Sequence, residues 1–150
     1  MKKLLLLPLL IILLFGCQKD KDEEVPLGSL EVKISYYYNA FQGYKPDTGA
    51  NLYLYKQTGK TYIRDFIDFR VGLLEVVGTG EKVTSDFKAE ADVTGLAKIN
   101  NIPYGDYLMV AASEGRFLYS AKPIKIDAPL TSDVKNFGYR NELDDNGEPW

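Results

Sequence analysis

Few residues in this 150-residue chain could do chemistry. There is one Cys, Cys17, and no His. Without His there is no Ser-His-Asp triad, no Cys-His dyad and no His-ligated metal. One Cys excludes an internal disulfide, a four-Cys zinc site and an iron–sulfur cluster. The Asp65/Asp68 and Asp144/Asp145 pairs have the composition of a two-carboxylate glycosidase. A chain this short, with no sign of a deep cleft, argues against that activity. Glu142, Asp144, Asn146 and Gly147 have the spacing of half a calcium loop. The bidentate acid of such a loop would fall beyond Trp150, so a solvated acidic tail is expected, with Trp150 packed on the fold. The aromatic residues are the remaining candidates. Tyr36, Tyr37, Tyr38, Tyr53 and Tyr55, with Tyr44 and Tyr62 near them in sequence, could stack on sugar rings or anchor a protein partner. Three consecutive tyrosines on a strand cannot all face the core. Cross-strand pairing on an ordinary sheet is the competing reading. Neither a cofactor nor a metal is expected.

The segments that carry these residues differ in kind. Lys2 and Lys3 precede an apolar run from Leu4 to Leu14, broken only by Pro8. That run is too short to cross a hydrocarbon core of about 30 Å comfortably, and reads as a signal-peptide h-region. Leu14-Phe15-Gly16-Cys17 resembles the bacterial lipobox, with an aliphatic residue at −3, a small one at −1 and Cys at +1. Phe15 is bulkier than the usual residue at −2. The resemblance implies diacylglycerol on the Cys17 thiol and cleavage before it. Two or three acyl chains, palmitate among them, would anchor durably where one would not. Gln18-Lys19-Asp20-Lys21-Asp22-Glu23-Glu24 is a charged run in which acids prevail. It resembles the export signal of lipoproteins that reach the outer face of the outer membrane, with Gln18, Lys19, Asp20, Asp22 and Glu23 as the matching positions; Lys21 interrupts the acids, and a plain solvated tether on a periplasm-facing anchor is the alternative. The expected organisation is a signal peptide at 1–16, a lipidated Cys and charged tether at 17–28, and one domain at 29–150.

Net charge is −3, and becomes −5 once the two lysines of the leader are removed. No basic stripe is present, so nucleic acid is not an expected partner. About 134 remaining residues suffice for a core without disulfides.

The domain reads with period two. Leu30, Val32, Ile34 and Tyr36 alternate with Glu31, Lys33, Ser35 and Tyr37. Lys45-Pro46-Asp47-Thr48-Gly49 is a turn in which Pro presets φ, Asp can bond the backbone two residues on and Gly supplies positive φ. Ala50 to Lys56 follows as a strand with Leu52 and Leu54 on one face and Tyr53 and Tyr55 on the other. Thr61 to Ser85 is ambiguous: Ile63, Phe66 and Ile67 suit a helix face, while Ile63, Asp65, Ile67 and Phe69 alternate. Leu73 to Val77, Phe87 to Val93, Leu96 to Ile99, Tyr107 to Ala112, Arg116 to Ile126 and Ser132 to Tyr139 complete the strands. The expectation is an all-β, antiparallel Greek-key sandwich of about seven strands.

The stretch Ala91-Asp92-Val93-Thr94-Gly95-Leu96-Ala97-Lys98-Ile99-Asn100-Asn101-Ile102-Pro103-Tyr104-Gly105-Asp106-Tyr107 resembles carboxypeptidase-regulatory-like and related prealbumin-like (transthyretin-like) domains. Gly49-Ala50-Asn51-Leu52-Tyr53-Leu54 matches an earlier strand of that pattern. Val93 and Thr94 depart from it, as does an insert from about Gln57 to Ser85. The resemblance implies a prealbumin-like sandwich with Gly95 in a tight turn, Ala97 and Ile99 inward, and Tyr107 in the core with its hydroxyl near an edge. Three activities of similar sandwiches lack their residues here. Isopeptide formation, as in Cna B-type domains, needs a buried Lys where Ile34 stands and an acid where Ala111 stands; Lys33 is one residue off and faces the other way. Asn136 alone cannot react. Hydroxyisourate hydrolysis and intradiol dioxygenation both need His. The expected role is a non-enzymatic surface module that binds envelope proteins or glycans. The alternative is a structural or adhesion subunit that assembles by strand addition.

Overall fold

The computed structural model describes residues 25–68, 70–113, 116–138 and 150, with the side chains of 64–67 excepted. Their backbone forms eleven strands: β1 (Leu27–Asn39), β2 (Gly43–Pro46), β3 (Asn51–Lys56), β4 (Tyr62–Asp68), β5 (Leu73–Val76), β6 (Lys82–Thr84), β7 (Phe87–Glu90), β8 (Leu96–Pro103), β9 (Gly105–Ser113), β10 (Leu118–Ile126) and β11 (Leu130–Phe137). The all-β expectation holds, but in three sheets. The first runs β11-β1-β2 with β8 also on β1, the second β10-β9-β3-β7, and the third β4-β5-β6.

β1 is long because two partners share one of its edges. Residues from Leu27 to Lys33 pair antiparallel with β8, and residues from Ser35 to Asn39 pair with β2. Its other edge pairs with β11 in parallel, from Ser29↔Leu130 to Tyr36↔Phe137, which departs from the wholly antiparallel sheet expected. Alternation along β1 sends Leu30, Val32 and Ile34 inward, all at 0% exposure. They meet Leu52 and Leu54 of β3, Ala97 and Ile99 of β8, Tyr107, Met109 and Ala111 of β9, and Phe137 of β11 in the core between the first two sheets.

The 57–85 region resolves the ambiguity in favour of strands. Its sheet lies on the outer face of the second sheet and makes a second apolar cluster. Tyr53 and Tyr55 of β3 and Leu108, Val110 and Ala112 of β9 pack there with Leu74, and with Tyr62 and Val83 at the margin. Hence all of Leu108 to Ser113 is buried, although a strand in a two-layer sandwich shows one face to water. Two hydroxyls latch this lid: Tyr53 donates to the Arg70 carbonyl at 2.8 Å and Tyr55 to that of Gly72 at 2.7 Å. Gly72 has φ of +65°, and a Cβ there would meet the Tyr53 ring at 2.5 Å.

The β7–β8 turn behaves as its sequence suggests. Asp92 Oδ1 accepts from the amides of Thr94 and Leu96 and from the Thr94 hydroxyl, which holds its carboxyl below the usual value. Gly95 has φ of +79° and lies against Ile34 of β1, whose amide donates to the Gly95 carbonyl at 2.7 Å. Ala97 and Ile99 point inward. Tyr107 is fully buried, and its hydroxyl donates to the Pro103 carbonyl at 2.8 Å, four residues upstream, in the manner of a tyrosine corner.

Candidate functional site

Beyond the sandwich core, β1 and β2 continue as a hairpin. Asn39 shapes its tip by accepting from the amides of Phe41 (2.9 Å) and Gln42 (2.8 Å). Gly43 follows with positive φ. Phe41 is 99% exposed at the tip, with Tyr38 at 45% and Tyr44 at 53% beside it. The three consecutive tyrosines divide between faces as the pleat requires. Tyr36 and Tyr38 share one face, edge to face at 6.4 Å. Cations lie over both rings: Arg116 Cζ is 3.3 Å from the Tyr36 centroid and Lys45 Nζ 3.7 Å from that of Tyr38. Tyr37 and Tyr44 are directly opposed on the other face, with centroids 5.6 Å apart. Cross-strand pairing and exposure therefore coexist: the pairs stiffen the hairpin, and Phe41, Tyr38 and Tyr44 remain open to a partner.

Tyr53 and Tyr55 do not belong to this surface. Both are at 0% exposure beneath the lid, so neither can contact a ligand in this arrangement. Burial, reinforced by neighbouring Tyr and Asp86 groups, pushes the Tyr55 hydroxyl well above its ordinary pKa, as befits a permanent donor. The outer face of a sandwich strand reads as solvent-facing in sequence; the third sheet reverses that.

Other candidates sort as follows. Leu14, Phe15, Gly16, Cys17, Gln18, Lys19, Asp20, Asp22 and Glu23 lie outside the described residues, as do Glu142, Asp144, Asp145 and Asn146. The side chain of Asp65 is likewise outside them. Ile34 and Ala111, which stand where isopeptide chemistry needs Lys and an acid, are fully buried apolar residues. Lys33 faces out and donates to the Thr94 carbonyl, while Asn136 accepts from the Ser35 hydroxyl. Trp150 folds back on the sandwich: its Nε1 donates to Asp133 Oδ1 at 3.4 Å, and Lys122 Nζ lies 4.7 Å from its ring. Among the described residues no group of three His, Cys, Asp or Glu side chains is placed to hold a metal.

Several residues escaped the sequence reading. Lys135 is buried at 1% exposure, with Nζ 4.8 Å from the Phe137 ring. The signal was available, since Lys135 occupies an inward slot of the β11 alternation. Asp47 was legible only as a turn residue. The turn forms, with the Ala50 amide on the Asp47 carbonyl at 3.2 Å and Gly49 at φ of +82°. The amide two residues on, that of Gly49, donates instead to Ala91. Asp47 lines a cleft together with Tyr36 and Arg116, with its carboxylate Oδ2 buried.

No protein-family model matches this chain, and no curated protein matches it. Solved structures similar to it include the major pilin subunit of Bacillus cereus (19% identity over 73% of this chain and 29% of the pilin, TM-score 0.41). Another is the major pilin of Corynebacterium diphtheriae (13% identity over 75% of this chain and 32% of the pilin, TM-score 0.47). A third is a proposed carbohydrate-binding protein of Pseudomonas aeruginosa (12% identity over 78% of this chain and 91% of that one, TM-score 0.44). The chain spans less than half the length of the pilins it matches.

Proposed function

We propose that this chain is a non-enzymatic, lipid-anchored cell-envelope protein. Its prealbumin-like sandwich docks envelope proteins or glycans through the aromatic β1–β2 hairpin. The observation that carries the docking reading is Phe41, an aromatic side chain almost wholly in water at the tip of a hairpin braced by paired tyrosines. Together with the exposed rings of Tyr38 and Tyr44 it makes an aromatic patch of the kind that a partner covers. The anchor rests on Cys17 and the residues around it, and the Gln18–Glu23 run supports an outer-membrane protein that faces the cell exterior. The family resemblance is supported by the roles of Gly95, Ala97, Ile99 and Tyr107 described above.

Two measurements test this reading. Mass spectrometry of the mature protein should find an acylated Cys17 at its N-terminus; an unmodified thiol there would refute the anchor. The Cys17→Ser chain, which carries no acyl anchor, should bind outer-membrane vesicles of its host, and replacement of Tyr38, Phe41 and Tyr44 by Ser in that background should abolish the binding. Unchanged binding would refute the hairpin. A second reading, assembly by strand addition, is favoured by one observation: among the described residues the outer edge of β11 pairs with no strand. Concentration-dependent polymers of the delipidated chain would select it.

A further inference from the structure

The β1–β2 hairpin changes in polarity with distance from its tip. At the turn stand Ala40, which is exposed, and Phe41, which is 99% exposed. One step back are Tyr38 and Tyr44, each about half exposed, whose rings end in hydroxyls. The cations come behind them: Lys45, with Nζ 3.7 Å from the Tyr38 centroid, and then Arg116 over Tyr36 at the base. From Ser35 to Pro46 the chain has this one lysine and no acid, although the sequence as a whole is acidic. Lys45 forms no ion pair among the described residues.

Each step in that order corresponds to a layer of a bilayer surface. An apolar ring at the leading point leaves water for the acyl chains. Tyrosine suits the headgroup level, with its ring towards hydrocarbon and its hydroxyl towards water. Lysine and arginine lay their apolar stems along that boundary and hold their charges at the level of the lipid phosphates. A side chain so far out in water is a protrusion and not the wall of a pocket, and a soft surface receives a protrusion. The missing acids complete the match, since a carboxylate here would be repelled by anionic headgroups.

We propose that the hairpin inserts Phe41 into the anionic lipid surface of the membrane that holds the Cys17 anchor, with Tyr38 and Tyr44 among the headgroups and Lys45 on lipid phosphate. The proposal rests on the anchor given above, and adds lipid itself to what the hairpin meets. The anchor makes this second contact intramolecular, so an insertion too weak to hold a free protein becomes populated. The geometry also orients the domain. Ten residues lead from Cys17 to Leu27, at most about 36 Å of chain. The thirteen residues of β1 run about 40 Å. The tether is too short for the domain to turn upside down, so the tip reaches the membrane with β1 inclined along the surface.

The test uses the acylated full chain in protein-free liposomes of phosphatidylethanolamine and phosphatidylglycerol, with phosphatidylcholine liposomes as the neutral control. Gln42→Cys carries an environment-sensitive fluorophore; with Cys17 acylated, no other thiol competes. Co-flotation reports the anchor, and quenching by a lipid with a shallow nitroxide reports the tip. The anionic liposomes should quench the fluorophore, and Phe41→Ser should lose the quenching while still floating. The ratio of inserted to free tips should fall about fivefold in Lys45→Gln, and should be lower in phosphatidylcholine. Absence of quenching in floated chain, or quenching unchanged by Phe41→Ser, would overturn the insertion. No quenching here beside hairpin-dependent binding to outer-membrane vesicles would overturn it too, and leave a protein or glycan as the partner. A chain that does not float refutes the anchor and this inference with it.

Discussion

The lid over Tyr53 and Tyr55 should open without the sandwich, and two substitutions measure this. Tyr55→Phe removes a fully buried hydroxyl that donates to the Gly72 carbonyl at 2.7 Å. The orphaned carbonyl costs about 1–3 kcal/mol. Leu74→Ala truncates a side chain at 0% exposure in the small outer cluster, at about 2–5 kcal/mol. Both contacts join the β4-β5-β6 sheet to the outer face of β3 and β9, and neither reaches the core between the first two sheets. The loss should therefore fall on local opening of the lid. Hydrogen exchange read by mass spectrometry on peptides covering β5 and β6 should accelerate about 5- to 150-fold in Tyr55→Phe, and more in Leu74→Ala. Peptides covering β1 and β8 should keep wild-type rates. Equal acceleration in the β1 and β8 peptides would show that the lid is no separable layer. Unchanged rates in the β5 and β6 peptides would show that the latch contributes nothing.

Two further outcomes are expected. Gly95→Ala should lower stability by about 2–5 kcal/mol in urea unfolding, since Gly95 has φ of +79° and its Cβ would run into the Ile34 carbonyl and Pro46; a loss below 1 kcal/mol, on the order of an exposed surface change, would contradict the close approach. For Asp47 the sign follows from its raised pKa: the native chain keeps this proton where the unfolded chain has released it, so stability falls as pH rises above the ordinary value of 3.8. Asp47→Asn should therefore be more stable than the native sequence at pH 7, and the advantage should vanish as the pH drops below 3.8; a less stable variant at pH 7 would show that Arg116 and Ser113 outweigh burial.

The parts legible in sequence are those where one local rule acts alone. The β1 alternation follows from a period of two, and the Gly95 turn and inward Tyr107 from the motif that carries the family resemblance; each stands as expected. The lid was not legible because both periodicities coexist over Ile63 to Phe69, and because a third layer changes the meaning of an outward face. The alternation rightly sets Leu52 and Leu54 on the face opposite Tyr53 and Tyr55, but nothing in it shows that both faces are buried. The exposed half of the aromatic site, Tyr38 and Tyr44, could be suspected from composition. Phe41 could not, since its exposure depends on how far β1 and β2 run beyond the core. Asp47 and Arg116 are 69 positions apart, and no local pattern links a turn acid to a distant loop cation.

The parallel pairing of β1 with β11 has a mechanical consequence. The preceding residues enter at the start of β1, and the chain leaves from the far end of β11, with eight register pairs holding the two strands together. A pull between the chain ahead of β1 and the chain after β11 acts along both strands in opposite senses. It loads the whole ladder in shear, so that the hydrogen bonds between the strands resist together. An antiparallel pair with the same attachment would peel open one bond at a time. With the anchor proposed at Cys17, flow over the surface would load this ladder in shear.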